Sequence, residues 1–261
     1  VKIDAYVHLI PSIEQQLRNL RLDCIVFGMG PTGWLLPWID QTLLSGIRLW
    51  TCHDGSRILP ADDVLLMDPP VRGLHPDTKR YDSVVACRPK RLWCINTAYS
   101  PPPNRPGKSA QPYWEQHLAA SVKGITTVVQ FKVWDPQCPP KHMKPVLGNT
   151  PPDTVATSVA GATTLAWNQG MRRIGVIGAD MMKGHHHLYT YYPTIDAFMR
   201  SIAEQATAMG GCIANLSPVT SLRRFKEWTD SASSSVPTNG SETPVPSECS
   251  NIASASTLPA K

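Results

Sequence analysis

Short apolar runs punctuated by glycine turns set the pattern of this chain. Cys24-Ile25-Val26-Phe27 is an uninterrupted apolar run that breaks into Gly28-Met29-Gly30-Pro31-Thr32-Gly33. Beyond it, Trp34, Leu35, Trp38, Ile39 and Leu43 recur at helical spacing, so the segment reads as strand, glycine turn, helix. Residues 47–51 and 64–67 predict the next strands, with 83–86 and 91–95 as further candidates. The Ala/Thr-rich stretch 155–167 is helical in pattern, and Gly170 follows where a helix C-cap belongs. It leads into Ile174-Gly175-Val176-Ile177, an apolar run that ends at Gly178-Ala179-Asp180. An amphipathic helix over 194–209, closed by Gly210-Gly211, and a short strand at 212–214 follow. Strands alternating with helices predict an α/β fold: a doubly wound, mainly parallel sheet with helices on both faces.

Proline divides the chain. The 25 prolines cluster at 69–70, 101–106, 136–145, 151–152 and from 237 onward, and regular structure is confined to the stretches between them. From Thr229 the chain is rich in Ser, Thr and Pro and nearly devoid of large apolar residues, the composition of a disordered tail. The expected organisation is an N-terminal segment over 1–22, one α/β domain over 23–228 with an irregular Pro-rich insertion near 72–150, and a tail over 229–261.

Composition narrows the class. At 261 residues, 42% hydrophobic and 17% charged, the chain is long enough to bury a core and is not disordered throughout. No run approaches the roughly twenty apolar residues of a membrane-spanning helix, and the N-terminus lacks a basic-then-apolar signal. A soluble, cytoplasmic protein is the expectation. Seven cysteines stand singly with no CxxC pair, which excludes a disulfide framework and a zinc ribbon. Cys138 and His142 are separated by Pro139-Pro140, which forbids a helix between them, so no metal site is expected there. The net charge of +5 permits an anionic partner without demanding one.

In parallel α/β sheets ligands bind beyond the C-terminal strand ends, so the loops there hold the candidate chemistry. The turn Gly28, Met29, Gly30, Pro31, Thr32 can bring backbone N–H groups toward a phosphate, and it can equally be a turn that needs small residues for packing. Asp54, after the second strand, stands at about the distance of a ribose-binding acid. His53, Asp54, Asp68 and Asp180 place acids and an imidazole at three further strand ends. The run His185-His186-His187-Leu188-Tyr189-Thr190-Tyr191-Tyr192 is either a polar surface loop or a general base with phenol donors beside it.

Taken together, these motifs resemble the bacterial lipooligosaccharide-type sialyltransferases. The resemblance rests on the GxGPT turn, Cys-polar-polar after the second strand, Asp68-Pro69 after the third, and Thr157-Ser158 opening a helix that ends in Gly170 before Arg172-Arg173-Ile174. It continues through Gly178-Ala179-Asp180 and Pro218-Val219-Thr220-Ser221-Leu222, and covers most of 23–226 except about 72–150. It implies the Rossmann-like architecture that Maf-type glycosyltransferases and archaeal hydroxymethylpterin pyrophosphokinases share. It further implies that Gly28, Met29, Gly30, Pro31 and Thr32 lie against the nucleotide phosphate and ribose, with His53, Asp54, Asp68, Thr157, Ser158 and Asp180 around the nucleotide. His187, or its neighbours His185 and His186, would be the general base, and Tyr189 and Tyr192 phosphate donors. The chain departs from that pattern at Met29, at His53-Asp54 and at Met182, where the family carries an Asn, an amide pair and a tyrosine.

The expected activity is that of a glycosyltransferase moving a sugar from a nucleotide sugar to an acceptor hydroxyl, with no metal cofactor, since a nucleoside monophosphate leaving group needs none and no DxD motif is present. The acceptor would be a glycan or DNA bearing hydroxymethylated bases. DNA is suggested by the basic, Trp-bearing middle at Lys79-Arg80, Arg88 to Trp93, Arg105 to Lys108 and Tyr113-Trp114. The alternatives are a pyrophosphokinase using ATP and magnesium, or a non-catalytic nucleotide-binding module.

Overall fold

A computed structural model describes residues 3–67, 71–72, 75–76, 82–95, 125–128, 132–134, 147–148, 153–155, 157–182 and 189–234. Its strands are β1 (Cys24–Phe27), β2 (Arg48–Cys52), β3 (Asp63–Leu66), β4 (Val71–Arg72), β5 (His75–Pro76), β6 (Arg91–Ile95), β7 (Ile125–Val128), β8 (Lys132–Trp134), β9 (Asp153–Val155), β10 (Arg173–Ile177) and β11 (Cys212–Asn215). Its α-helices are α1 (Ile10–Leu20), α2 (Asp82–Cys87), α3 (Ser158–Asn168), α4 (Tyr192–Ala208) and α5 (Arg223–Ser234). Seven strands form one sheet in the order β11-β10-β1-β2-β3-β6-β7. Every pairing in it is parallel, with Phe27 opposite Thr51 on one side and Ile177 on the other.

The apolar runs are continuous because both faces of this sheet are covered. Cys24 and Val26 join Trp50, Leu65, Ile174 and Val176 in a core beneath α3, α4 and α5. Ile25 and Phe27 join Val64, Leu66 and Ile177 in a second core on the opposite face. Alternate residues of one strand thus serve two cores, and the polar side chains that the inner strands do carry, Thr51 and Asp63, are buried with hydrogen-bond partners. The second core also takes Ile13 and Leu17 of α1, so the N-terminal segment is part of the domain.

Several segments depart from their patterns. The residues after the glycine turn form two 3-10 turns, Gly33–Trp38 and Gln41–Leu44, and not an α-helix. Pro37 inside the first turn removes an N–H from any α-helical ladder, and Asp40 caps the second by accepting the Thr42 N–H. Residues 83–86 lie in α2, with Val84 buried; a four-residue apolar run does not distinguish strand from helix. The helix read from 155 begins at Ser158, because Asp153–Val155 is β9 and Thr157 is the N-cap. The last helix continues to Ser234, into the stretch read as tail.

Candidate functional site

From β1 the chain steps through β2, β3, β6 and β7 in one direction. It then returns to lay β10 and β11 on the other side of β1. The order reverses between β1 and β10, and the crevice beyond their C-terminal ends is where such sheets take ligands. The glycine turn after β1 and the Gly178-Ala179-Asp180 turn after β10 face each other there. They touch backbone to backbone: Gly28 N–H donates to Ile177 O at 2.9 Å and Gly30 N–H to Gly178 O at 2.8 Å. A Cβ on Gly30 would lie 2.5 Å from Gly178 O and 2.8 Å from Asp180 Oδ2. Gly30 has no positive φ, so this glycine is required for close approach of the two turns.

The two turns are locked by one buried cluster. Thr32 (0% exposed) donates its hydroxyl to Asp180 Oδ1 at 2.6 Å and its N–H to Oδ2 at 2.8 Å, and Asp180 is itself only 1% exposed. With its proton on Asp180, Thr32 Oγ1 accepts from Gly178 N–H at 3.0 Å and from the Ser217 hydroxyl at 2.8 Å. The structure therefore gives the N–H groups of Gly28, Gly30 and Thr32 partners within the protein, and Pro31 has none to offer. At Gly28, Gly30 and Thr32 the turn thus follows the second of its two readings, small residues packed against a neighbouring turn, and the Asp180 carboxylate lies on Thr32. The sequence reading missed Ser217; the only available signal was a small polar residue just past the end of an apolar strand.

The first turn of α3 is the anion-favouring element at this edge. Thr157 caps it, its hydroxyl accepting Ala160 N–H at 3.3 Å while its carbonyl accepts Gly161 N–H at 3.0 Å. Ser158 and Val159 N–H have no carbonyl four residues back within the helix and stand at its positive end. A Cβ on Gly28 would meet Val159 Cγ2 at 2.9 Å, so this helix end sits directly over the glycine turn. Met29, 40% exposed, stands between Gly28 and Gly30, and its carbonyl accepts the Trp34 indole N–H at 3.2 Å. Trp38, 62% exposed, closes the same 3-10 turn.

One strand over, Thr51 donates its hydroxyl to Phe27 O at 2.9 Å and ties the ends of β1 and β2 together. His53 follows at φ 46°, half-buried, and opens a 3-10 turn that includes Asp54. Met181, beyond Asp180, is also left-handed at φ 50°. Non-glycine residues in this region store strain that a rigid surround must hold, and both stand at C-terminal strand ends. Burial pushes the Cys52 thiol well above its ordinary range and keeps it protonated. Tyr192 is half-buried at the start of α4 and packs with Tyr191 against the first core; Tyr189 opens the preceding 3-10 turn. Asp68, His185, His186 and His187 lie outside the described residues, as do Cys138, His142 and most of the Pro-rich middle. Among the described residues no group of three or more His, Cys, Asp or Glu side chains is arranged to hold a metal ion. Nor is any described helix long and apolar enough to cross a membrane.

Sheet order and crevice define the class, a doubly wound, Rossmann-like α/β protein. No family model matches the chain, and no curated protein and no solved structure matches it.

Proposed function

We propose that the chain is a nucleotide-dependent transferase that moves a sugar from a nucleotide sugar to an acceptor hydroxyl. The observation that supports this best is the seating of the first turn of α3 over the Gly28 turn at the point where strand order reverses. That juxtaposition favours the phosphate of a nucleotide through two N–H groups and the helix dipole. With the N–H groups of Gly28, Gly30 and Thr32 engaged, the phosphate falls to Ser158 and Val159 and the glycine turn shapes the floor beneath it. The motif resemblance to sialyltransferases supports the sugar as the transferred group.

In this reading a histidine of 185–187 takes the proton of the acceptor hydroxyl as that oxygen attacks the anomeric carbon. The bond to the phosphate oxygen breaks, and Tyr189, Tyr192 and the N–H groups of α3 stabilise the leaving phosphate. Loss of a general base costs roughly 10²–10⁴-fold in rate. One of His185→Ala, His186→Ala and His187→Ala is therefore expected to lower turnover by about that factor with nucleotide affinity retained. The test is nucleotide release from a panel of nucleotide sugars, with and without EDTA, and separately AMP release from ATP. EDTA-insensitive release supports the transferase. ATP-dependent AMP release would identify a pyrophosphokinase, and binding without turnover a non-catalytic module. Three histidine variants that all keep wild-type turnover would remove the proposed base.

A further inference from the structure

The opposite edge of the sheet, where the strands begin, carries most of the chain's net charge. Arg21 precedes β1, Arg48 opens β2, Arg88, Lys90 and Arg91 lead into β6, and Arg172 and Arg173 lead into β10. Against these seven cations stand Asp23, Asp62 and Asp63, leaving a net +4 on one edge of a chain whose total is +5. The three acids are turned to structural use. Asp23 Oδ2 accepts the N–H groups of Arg172 and Arg173 at 2.8 and 2.9 Å. Asp62 accepts Leu49 N–H at 2.9 Å and pairs with Lys90 at 2.7 Å. Asp63, fully buried, takes the Arg48 guanidinium and the Trp93 indole N–H.

What remains is a line of exposed arginines. No described carboxylate pairs with Arg21, Arg88, Arg91, Arg172 or Arg173, and all five side chains are exposed. Arg172 is steadied by the Trp167 ring at 4.6 Å, Arg91 by the Trp93 ring at 5.9 Å, and Arg173 by the Leu20 carbonyl. Arg21 and Arg88 hold left-handed φ values of 44° and 47°, a conformation that glycine adopts without steric penalty. Arginine at both turns exchanges local strain for charge.

From β10 to β6 the line crosses four strand spacings, about 19 Å at about 4.8 Å each. Duplex DNA presents one phosphate charge per about 1.7 Å of axis, roughly eleven over that length. The cations follow the sheet edge as a line, as a phosphate backbone does; a lipid surface would be met by charges spread over a face. We infer that this edge is a docking surface for duplex nucleic acid, gripped through its phosphates, one strand length away from the crevice. The inference goes beyond the transferase reading and stands without it.

The test is anisotropy of a fluorescent DNA duplex of about 20 base pairs with the full chain, between about 50 and 200 mM salt. Five phosphate contacts predict a log–log salt slope of about −4.5, a weakening of about 500-fold across that range. The triple variant Arg21→Gln, Arg88→Gln, Arg91→Gln is expected to flatten the slope to about −2, and the same three positions changed to Lys to restore it. Absence of binding at the lowest salt, a wild-type slope shallower than about −2, or a Gln variant with the wild-type slope overturns the inference. Should the triple variant not fold, the double variant Arg172→Gln, Arg173→Gln locates the contacts: a slope near about −2.7 is expected, and the wild-type slope in it overturns the inference. Vesicles rich in phosphatidylserine that bind with the same dependence on these arginines, while the duplex does not, would reassign the edge to a membrane.

Discussion

The Thr32 hydroxyl and the Asp180 carboxylate meet at 2.6 Å across 148 residues of sequence, joining the turn after β1 to the turn after β10. The Asp180 side chain is buried, and Thr32 supplies two of its donors. Thr32→Val keeps the shape and removes the hydroxyl, and with it the donor to Asp180 Oδ1 and the acceptor of Gly178 N–H. It is expected to destabilise the fold by about 2–3 kcal/mol, and Thr32→Ser by about 1 kcal/mol or less. Urea unfolding of the two variants measures this; a Val variant as stable as wild type would mean the pair contributes nothing.

Gly30 and Gly46 are needed for different reasons, and one substitution separates them. Gly46 has φ +79° and open space around it, a conformation that Asn tolerates. Gly30→Asn drives a Cβ into Gly178 O and is expected to cost about 1–3 kcal/mol, whereas Gly46→Asn stays within about 0.5 kcal/mol of wild type. Equal melting temperatures for the pair would contradict the packing of the two turns.

Ser158→Asp tests where a nucleotide phosphate sits. An acid in the first turn of α3 favours the helix, by about 0.3–1 kcal/mol, and repels an anion at the same place. A raised or unchanged melting temperature with at least about tenfold weaker nucleotide binding is expected. Unaltered affinity by calorimetry would move the phosphate away from α3.

Buried thiols give an alkaline signature. Burial raises Cys24 and Cys52 far above the ordinary value of 9.0, with Asp23 adding to the effect at Cys24. A folded-state value above the unfolded one contributes stability that is fully present below pH 9.0 and is lost as pH rises beyond it. Each thiol steepens that loss by up to about 1.4 kcal/mol per pH unit. Between pH 8 and about pH 10.5, Cys24→Ala with Cys52→Ala is expected to lose less stability than wild type. Identical pH profiles would show that both thiols ionise in the folded protein.

Legibility followed locality. β1 and β10 read clearly because strands buried on both faces are bare apolar runs bounded by turn residues; β2 and β3 read to within a residue, β6 only as one of two further candidates, and Gly170 marked the end of α3. The 3-10 turn over Gly33–Trp38 was obscured because Trp34, Leu35 and Trp38 satisfy a helical period, and only Pro37 argued otherwise. Residues 83–86 carried two strand-forming valines in a segment too short for periodicity to decide. At the crevice, the glycine turn and Thr157-Ser158 were recognisable as local motifs. The Thr32–Asp180–Ser217 cluster was not, since three polar residues far apart in sequence carry no mark of their meeting. The arginine line is invisible for the same reason: its members sit singly or in pairs before separate strands, and parallel pairing alone brings them to one edge.

The placement of β1 bears on synthesis as well as stability. β1 is central, yet one of its two neighbours, β10, lies about 150 residues further along the chain. At a translation rate of about 5–20 residues per second, β1 waits roughly 8–30 s for that partner. Through that interval one edge of β1 is open, and Ile25 and Phe27 have α1 to cover them while Cys24 and Val26 lack α3. A nascent chain of this topology is therefore most exposed to chaperones and to misassociation midway through translation, and pausing before β10 would lengthen that window.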